Sequence, residues 1–291
     1  MPVTPPVATL LVVGDVHRHW RDEDRSFIEQ GDQDLALFVG DLGDEDVNLV
    51  KDVAAINAPK AVILGNHDAW QSFSRRRPTR RLTLSLEALG ADHLAYSVRE
   101  LPRGGVSIVG ARPFSWGGES LRSPEVYQQL YGVGDMKKSA DRIFEAARRA
   151  QHRDLVILAH NGPAGLSIDP GDIYGKDFGR EAGGDWGDPD LEEAIDLITE
   201  RGWRVPCVIA GHMHDRLMTP RGANRSRFVR RGRTLYVNPA VVPRLRQSNG
   251  SCLAHYLRMG FSDGNVERVE EIWVDVHGEV RAVEAPHIEE A

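Results

Sequence analysis

Polar side chains that can bind metal ions follow a series of short apolar runs in this sequence. Five such motifs occur: GDVH at residues 14–17, GDLGD at 40–44, GNHD at 65–68, HNG at 160–162 and GHMHD at 211–215. Together they offer carboxylates, imidazoles and an amide, which form a mixed oxygen and nitrogen ligand set. This set suits Mn, Fe or Zn better than Mg or Ca, which prefer oxygen ligands alone. The motifs therefore predict a site for one of these metals.

The spacing within the motifs allows two side chains to reach one ion. Asp15 and His17 are two residues apart, and on an extended or turning backbone both can bind the same ion. The same holds for His212 and His214. A pair of ions also needs a bridging ligand, and the two oxygens of Asp41 make it the natural bridge. The candidate metal ligands are Asp15, His17, Asp41, Asn66, His160, His212 and His214.

The apolar runs read as strands, since they are short and closed by polar or turn residues, as in central strands covered on both faces. They cover residues 8–13, 35–39, 62–64, 155–159 and 205–210. Helices are predicted between them over 46–57, 139–151 and 188–201, with Ser139 and Asp188 as N-caps. Strands that alternate with helices indicate an α/β protein. In such folds the loops at the carboxyl ends of strands meet in one crevice, so we expect the five motifs to converge.

The C-terminal part is expected to add a second sheet. Residues 235–237 and 272–274 are predicted strands, and a hairpin is predicted around 262–265. We expect a single domain over residues 1–291, with a core from about residue 7 to residue 280 and a mobile tail at 283–291.

The composition excludes several classes of protein. The net charge of −7 argues against a protein that coats nucleic acid, and 41% hydrophobic with 27% charged residues is ordinary for a globular chain. No apolar run approaches the roughly 20 residues needed to cross a bilayer. Two cysteines, Cys207 and Cys252, are too few for a disulfide framework. We therefore expect a cytoplasmic protein without a membrane partner.

The order of the five motifs resembles the calcineurin-like metallophosphoesterase family, and the resemblance spans about residues 8–245. Within the family the sequence is most similar to an uncharacterised branch from cyanobacteria and plastids. The resemblance implies an α/β fold in which two mixed β-sheets form a sandwich flanked by helices. It also implies hydrolysis of phosphomonoesters or phosphodiesters by metal-activated hydroxide, at a centre of two divalent ions, with manganese as the first expectation and iron or zinc as alternatives.

The family's residue roles transfer to the matching positions. One metal would take Asp15, His17 and His214, the other would take Asn66, His160 and His212, and Asp41 would bind both. His67 would not bind metal but would donate a hydrogen bond to the phosphate or protonate the leaving oxygen. Asp68 is expected to orient His67.

The sequence departs from the family at the second motif. Many family phosphatases carry Asp-Arg there, whereas this chain has Asp44-Glu45. This departure argues against a protein serine/threonine phosphatase. Arg112 is the first candidate to replace the missing phosphate-binding arginine, and Arg18 and Arg244 are weaker ones. The alternative for Arg112 is a surface ion pair.

Aromatic and basic residues near the motifs leave the substrate open. Trp20, Trp70 and Trp116 follow strand-end motifs and could stack on an aromatic leaving group, or could simply pack the loops down. The Arg-rich segments 74–81 and 225–233 are interpreted as solvated surface, or alternatively as positive patches that attract a polyanionic substrate. The expected partner is a small phosphate ester, nucleotide-like in one interpretation. A nuclease or cyclic-nucleotide phosphodiesterase is the alternative enzyme, and a non-catalytic metal-binding scaffold is the alternative of another class. Oligomeric state cannot be read from the sequence.

Overall fold

The computed structural model describes residues 7–248 and 250–291. The strands in chain order are β1 (Ala8–Val13), β2 (Leu35–Phe38), β3 (Lys60–Val62), β4 (Val98–Leu101), β5 (Val106–Gly110), β6 (Asp154–Ala159), β7 (Arg204–Ala210), β8 (Phe228–Arg231), β9 (Thr234–Val237), β10 (Leu245–Ser248), β11 (Ser251–Ser262), β12 (Asn265–Val274), β13 (Val280–Glu284) and β14 (Glu289–Glu290). The helices are α1 (Asp22–Gln30), α2 (Val47–Ala54), α3 (Trp70–Ser74), α4 (Arg80–Leu89), α5 (Pro124–Tyr131), α6 (Met136–Arg148) and α7 (Pro189–Glu200).

The strands form two mixed sheets. The first has the order β13-β12-β11-β1-β2-β3, with β10 also paired to β11, and the second has the order β14-β8-β9-β7-β6-β5-β4. In the first sheet β1, β2 and β3 are parallel while β11 runs antiparallel to β1. In the second sheet β5, β6, β7 and β9 are parallel. The carboxyl ends of the central parallel strands therefore lie at one edge of each sheet.

The two sheets pack face to face, and helices cover their outer faces. Leu10 and Val12 of β1 share a buried cluster with Val156 of β6, and this cluster fills the space between the sheets. Leu11 and Val13 point the other way, into a cluster that contains residues of the helices. Successive residues of a strand face opposite sides, so each central strand is buried on both faces. The expected two-sheet sandwich flanked by helices is confirmed.

The predicted helices are present, although their caps differ from the prediction. The N-cap of α6 is Asp135, whose side chain accepts a hydrogen bond from the Lys138 backbone. Ser139, predicted to cap this helix, lies inside it, and its hydroxyl donates to Asp190. Asp188 occupies the N-cap position of α7, but its carboxylate accepts from the Ser115 hydroxyl instead of capping. The periodicity located the helices, whereas tertiary contacts selected the partners of these polar side chains.

The C-terminal segment differs from the expected tail. β13 pairs with β12, and β14 pairs in parallel with β8 and forms the edge of the second sheet, so the chain returns to that sheet. Residues 1–6 and 249, which the predicted domain includes, lie outside the described residues. The cluster shared by the two sheets supports the proposal that the chain forms one domain. Among the described residues, no helix combines the length and the apolar character that a bilayer crossing requires.

Candidate metal centre

The strand-end motifs meet where the two sheets present their carboxyl ends. β1, β2 and β3 lead into the motifs of Asp15, Asp41 and Asn66, while β6 and β7 of the other sheet lead into those of His160 and His212. The structure gathers the ligand atoms of these residues into groups whose members all lie within 4.8 Å of one another. The groups are Asp15, His17 and His214; His17, Asp41 and His67; and Asp41, His160 and His212.

In the first group, the side-chain nitrogen and oxygen atoms of Asp15, His17 and His214 surround a position that one ion could occupy. His17 Nε2 lies 3.0 Å from His214 Nε2, and His214 Nε2 lies 3.7 Å from Asp15 Oδ2. Asp41 adds its Oδ2 at 3.6 Å from His17 Nε2. Donor atoms that each bind one ion at about 2 Å must lie roughly 3 to 4 Å from one another. The separations in this group match that requirement.

The third group, formed by Asp41, His160 and His212, lies around the other carboxylate oxygen of Asp41. His160 Nε2 is 2.9 Å from Asn66 Oδ1 and 3.4 Å from Asp41 Oδ1. The ring of His212 lies beside that of His160, with 5.0 Å between the ring centroids. Asp41 therefore presents one carboxylate oxygen to each group of ligand atoms.

His160 shows that these residues fit a cation. Its Nδ1 lies 2.7 Å from the Val39 carbonyl oxygen, which can only accept, so Nδ1 carries the hydrogen. Burial lowers the pKa of His160, which keeps the ring neutral and leaves a lone pair on Nε2. That lone pair faces the acceptor Oδ1 of Asn66 at 2.9 Å. Two acceptors that face each other inside the protein are satisfied by a positive ion between them.

The electrostatics of the site also favour bound cations. Burial raises the pKa of Asp15 well above its ordinary value, and the charge of Asp41 adds to this effect. Burial opposes ionisation of Asp41 too, but the surrounding histidines, His160 first, hold its pKa at about 2. Burial lowers the pKa of His212 to about 3 and that of His214 to about 4. Neutral imidazoles are the form that binds metal, so protons compete little for these ligands near neutral pH.

The backbone is shaped to bring the ligands together. Asp41 and His212 have φ angles of 48° and 68°. Residues other than glycine rarely adopt this backbone region, and those that do are often found at functional sites. A Cβ on Gly65 would lie 2.2 Å from Asp41 Oδ1, and one on Gly211 would lie 2.1 Å from Asp15 Oδ1. The glycines that close the two strand-end runs are therefore required by the close approach of the carboxylates.

His67 is oriented by Asp44. Its Nδ1 lies 2.7 Å from Asp44 Oδ1, and Arg18 Nη2 lies 3.5 Å from Asp44 Oδ2. The Arg18 side chain is 58% exposed and the His67 side chain 30% exposed, so both can reach a ligand. This arrangement leaves Nε2 of His67 available at the edge of the ligand groups.

The Asp68 carboxylate makes no hydrogen bond to the His67 ring, so the structure contradicts the expected Asp68–His67 pair. The Asp68 carboxylate is 1% exposed and accepts hydrogen bonds from backbone N–H groups. The donors are Leu42 at 3.3 Å, Gly43 at 3.0 Å and Gly65 at 2.9 Å. The 3-10 turn His67–Ala69 directs the Asp68 side chain inward, where it joins two strand-end loops.

Arg112 lies in the interior, and the structure contradicts its predicted role in substrate binding. It is 3% exposed, and it forms ion pairs with Asp188 at 2.9 Å and Asp190 at 2.8 Å. Arg244, a weaker candidate, is also buried, at 3.2 Å from Asp24. Arg18 is the remaining candidate from the sequence. The side chain of an arginine that follows a strand can be buried beneath the loop or exposed at the site, and the sequence does not distinguish the two.

Replacing Arg112 by Met is expected to destabilise the fold by about 3–5 kcal/mol, because it leaves two buried carboxylates without their cation. Chemical denaturation of the metal-free protein measures this change. Arg103→Met is the matched control, since it removes an ion pair of 2.7 Å whose arginine is 60% exposed. The control should cost less than about 1 kcal/mol. Equal stability of the two variants would contradict the assigned role of Arg112.

Two of the three tryptophans predicted to line the substrate site lie beside His67. His67, Trp70 and Trp116 form a row with 5.0 Å between successive ring centroids. Trp20 is partly buried and packs against Phe38 of the core, with 5.9 Å between the ring centroids. Trp20 is therefore not part of the row, and Trp70 and Trp116 are the tryptophans that lie beside His67.

Sequence reasoning missed residues that come from the segment between β6 and β8. Phe178 and Met218 line the cavities next to His67, although nothing in their sequence context indicated it. Arg225, read as part of a solvated basic segment, is 5% exposed and donates to the carbonyl oxygens of His214 and Gly175. It joins the loop of Phe178 to that of His214. The arginines of the other basic segment are exposed as expected: Arg75, Arg76, Arg77, Arg80 and Arg81.

Comparisons with known proteins bear on the family and the fold. A sequence model of calcineurin-like phosphoesterases matches residues 8–216. No curated protein matches the chain significantly. One solved structure aligns with a TM-score of 0.52 at 13% identity, covering 96% of this chain and 99% of its own, and this likeness shows the fold alone. A protein of Thermus thermophilus aligns with a TM-score of 0.45 at 11% identity, over 96% of this chain and 99% of its own. A metallophosphoesterase from Sphaerobacter thermophilus aligns with a TM-score of 0.35 at 16% identity, over 94% of this chain and 89% of its own.

Proposed function

The chain belongs to the calcineurin-like phosphoesterase family, and we propose that it hydrolyses small phosphate esters at a centre of two divalent metal ions. Membership makes it a metal-dependent hydrolase of phosphoester bonds. One observation carries the proposal of two ions. Asp41 turns Oδ2 towards His17 and Oδ1 towards His160, at 3.6 Å and 3.4 Å. A single carboxylate between two groups of donors is what ions about 3.5–4 Å apart require.

The ligands divide into two sets that share Asp41. The first set is Asp15, His17, His214 and Asp41, and the second is Asn66, His160, His212 and Asp41. Manganese is the first choice for both positions, with iron or zinc as alternatives, because the sets mix oxygen and nitrogen. Divalent ions held there would supply positive charge to the phosphate oxygens and acidify the water that attacks phosphorus.

The chain's own residues position the ester and manage the proton. His67 stands beside the ligand groups with Nδ1 held by Asp44, so its Nε2 faces the substrate. From there it donates a hydrogen bond to the phosphate or gives a proton to the leaving oxygen. Arg18 offers an exposed guanidinium next to Asp44, where it binds a phosphate oxygen.

Replacing Arg18 by Ala is expected to raise KM for p-nitrophenyl phosphate about tenfold while kcat changes little, because one charge-assisted hydrogen bond to bound phosphate is lost. Steady-state kinetics at saturating metal measures both constants. Arg76→Ala removes a similarly exposed arginine from the basic segment and should leave KM unchanged. An unchanged KM in the Arg18 variant would show that Arg18 does not bind the phosphate.

The proposed function is tested with p-nitrophenyl phosphate and its bis ester. Purified protein is stripped with a chelator, reloaded with Mn²⁺, Fe²⁺ or Zn²⁺, and assayed alongside elemental analysis. We expect activity that the chelator abolishes, that metal restores, and that coincides with two equivalents of bound ion. Metal binding without hydrolysis of either ester would favour a non-catalytic scaffold.

The remaining features extend the proposal. The expected substrate is a small phosphate ester, and diester hydrolysis, as in a nuclease or cyclic-nucleotide phosphodiesterase, is the second candidate because aromatic side chains stand beside His67. A nucleic-acid polymer is not favoured, since the chain carries a net charge of −7. Both cysteines are free, which supports a cytoplasmic location.

A further inference from the structure

A cavity of about 570 Å³ opens beside His67, on the side of Asn66 and His212. It therefore adjoins the second set of proposed metal ligands. A cavity of this volume lies within the range that binds small molecules and cofactors. A phosphate bound at the ligand groups would have its ester substituent directed into this space or into solvent.

Aromatic side chains form the walls of the cavity. Trp116 lines it and continues the row from His67 and Trp70, while Phe178 and Trp186 contribute another pair with 5.0 Å between ring centroids. Flat π surfaces of this kind bind planar rings by stacking, with little dependence on the identity of the ring. The walls thus favour a planar aromatic group over a sugar or an alkyl chain.

The walls are held in place before any ligand binds. Trp186 Nε1 donates to the Trp116 carbonyl oxygen at 2.7 Å, and Gly118 N donates to the Trp186 carbonyl oxygen at 3.0 Å. A Cβ on Gly117 would lie 2.3 Å from Trp186 Cδ1, so only glycine allows this approach. The first hydrogen bond fixes the indole of Trp186 against the backbone of Trp116, and the second ties the Trp186 backbone to Gly118, which reduces the entropy that binding must remove.

The rim of the cavity is polar and carries both donors and acceptors. Glu119 offers a carboxylate, Ser120 a hydroxyl and Arg122 a guanidinium, and all three are exposed. The Arg122 guanidinium carbon lies 3.7 Å from the ring centroid of Trp116, which is a cation–π contact with the face of this indole. Within the part of the chain that the structure describes, Arg122 has no ion-pair partner. A heteroaromatic ring with amino and carbonyl groups at its edge matches such a rim.

We propose that this cavity binds the leaving group of the substrate and that the leaving group is a nucleoside. The proposal rests on the proposed function, because it assigns the phosphate end to the metal ligands and the base to the aromatic walls. Trp116 and Trp186 recognise the base by stacking, and the polar rim contacts its edge. The residues that determine specificity are therefore distinct from the residues that hold metal.

The test uses adenosine, which has no phosphate, and the metal-free protein. Calorimetry and the quenching of tryptophan fluorescence should show saturable binding of adenosine, with ribose binding at least about tenfold more weakly, since stacking one base contributes about that much. Trp116→Ala should weaken adenosine binding about tenfold, whereas Trp116→Phe should retain most of it. Equal binding of adenosine and ribose overturns the proposal.

Trp203→Ala is the matched control. Trp203 is also partly buried and has an arginine, Arg153, over its ring at 4.9 Å, but it lies at a different cavity. Adenosine binding should be unchanged in this variant, and a folded Trp116→Ala protein that binds like wild type overturns the proposal. If melting curves show Trp116→Ala to be unfolded, Phe178→Ala replaces it with the same expectation. Because no ester or metal is present in these measurements, they remain valid even if the protein does not hydrolyse phosphate esters. If it hydrolyses esters but does not bind adenosine selectively, only the proposal that the cavity binds a nucleoside is overturned.

Discussion

Replacing Asp41 by Asn is expected to lower kcat/KM for p-nitrophenyl phosphate by about a thousandfold, because charge stabilisation by bound metal amounts to several kcal/mol. The physical reason lies in the position of its two oxygens, one towards His17 and one towards His160. Asparagine keeps the size of the side chain and one acceptor oxygen, but it has no charge and cannot bridge two cations. Elemental analysis of the purified variant should show fewer than two equivalents of metal.

Asp46→Asn provides a matched control for this change. Asp46 lies five residues further along the chain and caps α2 by accepting from the Asn48 and Leu49 backbone. Asparagine caps helices about as well as aspartate, so the control removes one negative charge near the site without loss of structure. Wild-type metal content and activity in the Asp41 variant would contradict the bridging role, and equal losses in both variants would indicate a general effect of charge.

The convergence of the motifs was predictable because it follows from topology. Apolar runs buried on both faces must be central strands, and parallel neighbours such as β1 and β2 present their carboxyl ends together. Residues from five loops could therefore be placed at one edge without knowledge of the sheet order. The hairpin at 262–265 and the strands at 235–237 and 272–274 were predictable for a similar reason, because their patterns are local.

The partners of individual polar side chains were not predictable. Asp44 and Asp68 both follow strand ends close to His67, and the sequence offers no means of telling which reaches the imidazole. The choice depends on the turn His67–Ala69, which directs Asp68 towards the backbone of Leu42 and Gly43. The loops must be placed in three dimensions before such a pair can be assigned.

The walls of the cavity were only partly predictable, since they come from segments without periodicity. Trp186 and Phe178 lie in the long connection between β6 and α7, where neither helical nor strand patterns constrain the chain. Their position depends on buried polar contacts, such as Arg225 to the carbonyl oxygens of Gly175 and Pro170. A buried arginine in an Arg-rich segment has no distinguishing mark in the sequence.

Replacing His67 by Ala is expected to slow hydrolysis of phenyl phosphate by a factor of about 10²–10⁴, the usual contribution of a general acid. Hydrolysis of p-nitrophenyl phosphate should be slowed much less, because p-nitrophenolate leaves without a proton. Asp44→Asn should show the same dependence on the leaving group, with a smaller loss of about 10–100-fold, as for a residue that orients another. The ratio of kcat for the two esters measures the effect in each variant.

Asp68→Asn separates orientation of His67 from support of the fold. Its buried carboxylate accepts from three backbone N–H groups, and an amide cannot replace all three acceptors. We expect this variant to lose about 2–4 kcal/mol of stability while the ratio of kcat for the two esters stays at the wild-type value. Asp44→Asn should do the reverse, since the Asp44 side chain is 52% exposed and contributes little to folding. If Asp68→Asn altered the ratio and Asp44→Asn did not, Asp44 would not be the residue that positions the catalytic imidazole.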